Sequence, residues 1–337
     1  MTAFSSASRR DSEEGLGACG TVVARVGAVP RVETQQIPPG YWNIRTFILA
    51  LMILTALSPL VRAQGRTEVT INDTGVSPEN LTSSQDGTVY FGSRGKGNIY
   101  RAEPGASLAE PWILASDTGL TNVFGVLADD KTSTLWVCSN STGGRGGAPV
   151  VGQTAVRTFD LKSGAAKGTY PIPGGGICND IALAADGTAY VSETSGNRVL
   201  RLKPGATTPD VWILDQQLAG VDGISMLADG AVYVNTYFAG LLLRIPVAAD
   251  GSAGPIVQLE TSIPIKNPDG LRAIGPRTFL QIENAGRVTE ITVNGNLAEV
   301  RVVGETPNGA TGVTLVGDTA LALVSGARAV VVPYRPR

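Results

Sequence analysis

The chain has 337 residues, of which 43% are hydrophobic and 17% charged, with a net charge of −2; this composition can build a sizeable core and does not favour disorder. Lys, Arg, Asp and Glu are interspersed, so neither the basic block of a nucleic-acid binder nor the basic amphipathic face of a membrane-surface protein is present. Histidine is absent, which excludes Ser-His-Asp triads, Cys-His pairs and His-ligated zinc, leaving chemistry to carboxylates, amides, Lys, Tyr, Cys or an oxygen-held metal.

Residues 1–40 mix Ser, Gly, Arg and Glu without periodicity and read as a polar leader, or as sequence upstream of the true start. Residues 41–63 read as a signal segment. Its apolar run, Thr46 to Leu57, follows Arg45 and stops at Ser58-Pro59, too short to span a bilayer comfortably. Val61-Arg62-Ala63 fits a small-residue cleavage pattern that would make Gln64 the first mature residue; the alternative is an uncleaved anchor. Residues 64–337 are then expected to be an exported domain, secreted or periplasmic.

From residue 67 the chain reads as short strands. TEVTIND (67–73) alternates as a strand should. SSQDGTVYFGSRGKGNIYRAEPGA (83–106) returns as AADGTAYVSETSGNRVLRLKPGA (184–206), and each leads to Trp-Ile-Leu, at 112–114 and 212–214. In both, an Asp-Gly turn joins two strands, a polar Gly-containing turn leads into a third, and Trp-Ile-Leu ends a fourth. Weaker copies start at 125, 223, 270 and 312. The first turns sit near Asp86, Asp129, Asp186, Asp229, Gly275 and Gly317, 42 to 57 residues apart. The longest step holds a Gly-rich insertion (141–153) read as a surface loop. Four antiparallel strands per repeat make a propeller blade, so the expected fold is all-β, a six-bladed β-propeller rather than a β-sandwich. The strand at 67–73 should close the ring as the outer strand of the last blade, beside 329–334.

The segment opening each inner strand is polar: SPEN (77–80), LTNVFG (120–125), ICND (177–180), GVDG (220–223), NPDG (267–270) and NGATG (308–312). In a propeller these openings converge on the axis. Glu79, Asn122, Asn179, Asp180, Asp222, Asn267 and Asp269 are therefore candidates for one cluster of oxygen donors, suited to a hard cation. The competing reading is that Asx-Gly pairs simply make turns.

With these blades and openings, the chain resembles the senescence marker protein/gluconolactonase family, which includes luciferin-regenerating enzymes, over residues 70–335. The resemblance implies a propeller that binds one divalent cation in its central channel and hydrolyses lactones. Its ligand positions match Glu79, Asn179 and Asp222. Two motifs depart from the family pattern: Asp180 follows Asn179 where Gly is usual, and Val221 precedes Asp222 where Pro is usual, the full Pro-Asp-Gly standing at 268–270. The expected cofactor is one divalent cation (Ca²⁺, Mg²⁺, Mn²⁺ or Zn²⁺). Asp222, Asp180 or Asp269 would be the general base, and Asn122 and Asn267 would meet substrate. The expected partner is a small molecule, with no nucleic acid, no membrane span after processing and a monomeric state. The alternative is a non-catalytic propeller that binds a ligand or protein on its loop face.

Cys138 and Cys178 are expected on the same face of adjacent blades, either as a disulfide or as two buried thiols. GGRGG (143–147) lacks the Lys-Ser/Thr of a phosphate loop. Asn80-Leu81-Thr82 and Asn140-Ser141-Thr142 are formal glycosylation sequons. Tyr90, Trp136, Tyr190 and Tyr233 recur on second strands and read as packing between blades.

Overall fold

A computed structural model describes residues 66–143, 150 and 152–334. The leader and signal segment expected in residues 1–63 lie outside the described residues, as do 144–149 and 151 of the Gly-rich insertion.

The described chain is built almost wholly of strands. After β1 (Glu68–Ile71), the first unit is β2 (Pro78–Ser83), β3 (Val89–Ser93), β4 (Ile99–Ala102) and β5 (Leu108–Ile113). The second is β6 (Val123–Asp129), β7 (Thr134–Ser139), β8 (Ala155–Asp160) and β9 (Ala166–Pro171), and the third β10 (Cys178–Leu183), β11 (Ala189–Glu193), β12 (Arg198–Leu202) and β13 (Asp210–Leu214). The fourth is β14 (Val221–Met226), β15 (Val232–Thr236), β16 (Leu241–Ile245) and β17 (Val257–Gln258). A short β18 (Glu260–Thr261) precedes the fifth: β19 (Pro268–Gly275), β20 (Thr278–Glu283), β21 (Arg287–Asn294) and β22 (Leu297–Glu305). The last run is β23 (Gly312–Val316), β24 (Thr319–Val324) and β25 (Arg328–Pro333). Each unit pairs antiparallel in chain order.

The turn chemistry explains these boundaries. Asp86, Asp186 and Asp229 each accept, through Oδ1, the backbone N–H two residues on. The glycine that follows each takes a left-handed φ, +89° at Gly87 and Gly187 and +75° at Gly230, which a tight turn needs and a Cβ resists.

The ring closes through the first and last of the described strands. β1 pairs antiparallel with β25, Glu68 opposite Val330 and Val69 opposite Ala329, so the N-terminal strand supplies the fourth strand of the last unit. This covers a sheet edge that would otherwise be bare. Inner strands pack on their neighbours in the order β2, β6, β10, β14, β19, β23 and back to β2. The residue that directly follows each opening, Leu81, Val126, Ile181, Ile224, Leu271 and Val313, is buried. The aromatics on second strands also pack: Tyr90 stands 5.3 Å from Trp112, Tyr190 4.7 Å from Trp212 and Tyr233 5.1 Å from Phe279, ring centre to ring centre. The Tyr90 hydroxyl donates to Leu161 O in the second unit at 3.0 Å. Among the described residues no helix is long and apolar enough to cross a membrane.

Cys138 on β7 and Cys178 at the start of β10 are joined by a disulfide, with Cα atoms 5.3 Å apart. It ties the second unit to the third at the first residue of the strand that carries Asn179.

Candidate functional site: a buried acidic cluster on the ring axis

Five of the six inner strands begin with the same irregularity. The pairing with the second strand slips between Pro78 and Leu81, Val123 and Val126, Cys178 and Ile181, Val221 and Ile224, and Pro268 and Leu271. A bulge leaves residues out of the ladder and re-aims their side chains. The freed pairs are Glu79-Asn80, Phe124-Gly125, Asn179-Asp180, Asp222-Gly223 and Asp269-Gly270. Glycine recurs at the second place because neighbouring strands nearly touch there. A Cβ on Gly125 would lie 2.4 Å from Asn179 O, and one on Gly223 would lie 2.4 Å from Asp269 O.

The first residues of these pairs meet one another. Glu79 is 6% exposed, Asn179 5%, Asp222 9% and Asp269 7%. Burial, then the charge of Asp222, pushes the Glu79 carboxyl up to about 8, against the pull of Arg94. Burial and the Asp180 charge push Asp222 up to about 7, while hydrogen bonds from Asn179 and Asp269 favour its charged form. Asp269 is held well above the usual carboxylate range by burial and then by the Asp222 and Glu79 charges; kept protonated, it donates to Asp222. Carboxylates this close cannot all ionise without a cation.

Asn179 is fixed from behind, its amide donating to Thr194 Oγ1 at 3.1 Å and to Asp222. Asp180 points a different way. Its Oδ1 accepts from Ile181 N at 2.9 Å and lies 3.6 Å from Arg272 Nη2. Burial raises this carboxyl and Arg272 opposes the rise. Its Oδ2 is buried without a hydrogen-bond partner of good geometry, although the Asn80 amide and Ile224 N–H lie close enough to favour its charge.

Asn122 and Asn267 precede the freed pairs by two residues. Both take left-handed backbone conformations, φ +28° and +46°, two residues before the bulge, which Asn tolerates better than most residues. The Asn267 amide donates to Tyr237 O at 3.2 Å. The sequon residues Asn80 and Asn140 are buried; Asn140 exchanges two hydrogen bonds with the Cys178 backbone.

Three neighbours escaped the sequence reading. Arg272, on β19, donates to Asn80 Oδ1 at 3.3 Å and places a guanidinium beneath the acids. Its signal was available: the matching inner-strand positions hold Thr82, Leu127, Ala182, Ser225 and Thr314. Arg94 lies over the Phe124 ring, 5.5 Å from its centre. Tyr237 is half-buried beside Asp269 and Asp222, whose charges, after burial, raise its hydroxyl.

Among the described residues, no three His, Cys, Asp or Glu side chains form a metal-binding group. The set at issue holds two carboxylates and one amide, Glu79, Asp222 and Asn179. As donors these fit a hard divalent cation: all are buried oxygen carriers, and the acids raise one another in spite of Arg94. Cavity size points elsewhere. A groove of about 850 Å³ at the far ends of the inner strands is lined by Lys131, Trp136, Asp186, Tyr190 and Met226, and a smaller one of about 250 Å³ reaches Arg272 from that side. Neither touches the acidic cluster, and buried like charge is the stronger mark of a functional site.

No protein-family model and no curated protein sequence matches the chain. Solved structures do. A catalytically inactive variant of virginiamycin B lyase from Staphylococcus aureus, with quinupristin, is 13% identical with a TM-score of 0.55, over 80% of this chain and 98% of its own. A gluconolactonase from Xanthomonas campestris is 16% identical with a TM-score of 0.59, over 78% and 88%. The PQQ-bound aldose sugar dehydrogenase from Streptomyces coelicolor is 16% identical with a TM-score of 0.57, over 79% and 95%. The chain shares their β-propeller fold; at these identities a shared fold does not carry a shared reaction.

Proposed function

We propose that the chain is an exported six-bladed β-propeller hydrolase that opens lactones or related esters, using one divalent cation held by Glu79, Asn179 and Asp222. The observation that carries this reading is the buried cluster at the strand bulges, whose carboxylates are raised by burial and by one another. A divalent cation there would polarise the carbonyl and acidify a water molecule.

The chain's own residues supply the rest. Asp180 is turned toward Arg272 and takes no part in proton transfer. Asp269 is the general base: it is hydrogen-bonded to Asp222, and once the charges that keep it protonated are offset it can release its proton and accept one from water. The water oxygen adds to the carbonyl carbon, the acyl carbon–oxygen bond breaks, and Asp269 returns the proton to the departing alkoxide. Such a base contributes about 10²–10⁴-fold. The gluconolactonase likeness agrees with this reading. The lyase likeness agrees less well, because its inactive variant replaces a histidine and this chain has none.

The test is a lactone panel with and without chelator. Hydrolysis that stops on chelation and returns with added Ca²⁺, Mg²⁺, Mn²⁺ or Zn²⁺ is the expected result. No turnover of any lactone by cation-loaded protein would overturn the hydrolase and favour a ligand-binding propeller.

A further inference from the structure

Phe238 is 80% exposed, and the fold gives no reason for it. It sits in the turn after β15, second after the strand. The same turn holds Gly95 in the first unit, Ser141 in the second, Ser195 in the third and Ala285 in the fifth. A small residue therefore serves this turn, and a phenyl ring here faces water at a cost in hydration. Its ring meets that of Tyr237 edge to face at 5.2 Å, and Gly220 leaves the room it stands over, since a Cβ there would come within 2.8 Å of Phe238 Cδ2.

The pair stands directly above the acids. Tyr237 N donates to Gly220 O at 2.9 Å, two residues before Asp222, and the Asn267 amide, two residues before Asp269, donates to Tyr237 O at 3.2 Å. The Tyr237 hydroxyl makes no hydrogen bond within the described residues. The polar side chains at matching places on the rim are already committed to backbone. Thr194 Oγ1 donates to Val221 O at 2.7 Å, the Asn140 amide to Cys178 O at 2.9 Å, and the Asn284 amide to Ala310 O at 3.4 Å. A polyhydroxylated ring would find few free partners there, and unpaired buried hydroxyls are costly. Arg94, exposed and over Phe124, is the residue at the matching place in the first unit, and Lys266, next to Asn267, is exposed as well.

We propose that the site accepts a lactone or ester carrying an apolar substituent, which lies on the Tyr237–Phe238 pair, rather than a polyhydroxylated sugar lactone. This rests on the hydrolase reading for the reacting group but not for the preference, which binding alone can measure. The experiment is calorimetric titration of the mature protein, in calcium, with two unreactive δ-lactams, one bearing a hexyl chain and one polyhydroxylated. The hexyl lactam should bind at least about tenfold more tightly, as burial of part of an alkyl chain allows. Phe238→Ser, which installs the residue of the second and third units, should abolish most of that preference without lowering the melting temperature. Equal or tighter binding of the polyhydroxylated lactam, no binding of either, or a preference that survives Phe238→Ser would each overturn the proposal. Tight hexyl-lactam binding with no turnover of any lactone would instead overturn the hydrolase reading and leave this one standing.

Discussion

Glu79, Asp180, Asp222 and Asp269 are carboxylates placed at strand bulges where water cannot screen them. Arg272 faces Asp180 and Arg94 pulls on Glu79, yet the four charges still press on one another. This fixes the sign of a pH effect. Glu79 and Asp222 titrate at about 8 and about 7 in the fold, above their ordinary values of about 4 in an unfolded chain. The folded state therefore binds more protons than the unfolded one. Their contribution to stability is fully present below about pH 4 and is lost as pH rises through 7 to 8. In cation-free protein the melting temperature should fall between pH 5 and 9. Saturating calcium should remove the fall, because a bound cation favours the ionised acids. A cation-free melting temperature that rises over this range, or a fall that calcium leaves unchanged, would contradict the placement of these groups.

At the scale of elements, the bulged inner strand does two jobs. Its first residues leave the ladder and face the axis, and its next residue, such as Ile181 or Leu271, returns to the packing between units. The disulfide acts on one such strand. It spans a separation of 40 residues, and loop closure of that size is worth about 4 kcal/mol in the chain-entropy account. Replacing Cys138 and Cys178 together with Ser should lower unfolding stability by about 2–4 kcal/mol in urea, and should weaken cation binding because Asn179 follows Cys178 directly. Unchanged stability would mean the bridge constrains nothing. The strands themselves were legible in the sequence: Asp-Gly turns and the doubled Trp-Ile-Leu run set the units, and the unit spacing gave seven candidate positions, among which the family resemblance singled out Glu79, Asn179 and Asp222. Side-chain direction was not legible. Nothing in ICND says that Asn179 faces the acids while Asp180 turns to Arg272, because that partner lies 92 positions away on another strand. Nor did the sequence say that Asn122 and Asn267 take left-handed backbone conformations.

For the whole molecule, ring closure brings six distant segments to one axis. β1 and β25, the first and last described strands, pair in one sheet, and the inner strands meet in a closed cycle, so residues as far apart as Glu79 and Asp269 share one buried volume. On the proposed function this volume holds a catalytic cation. Elemental analysis of the purified protein and of its Asp222→Asn variant, each paired with lactone turnover, decides whether it does. The parent should carry one divalent cation per chain and turn over lactone, and the variant should lose both while still melting cooperatively. A variant that keeps its cation and full turnover, or a parent that hydrolyses lactones with no metal bound, would contradict it.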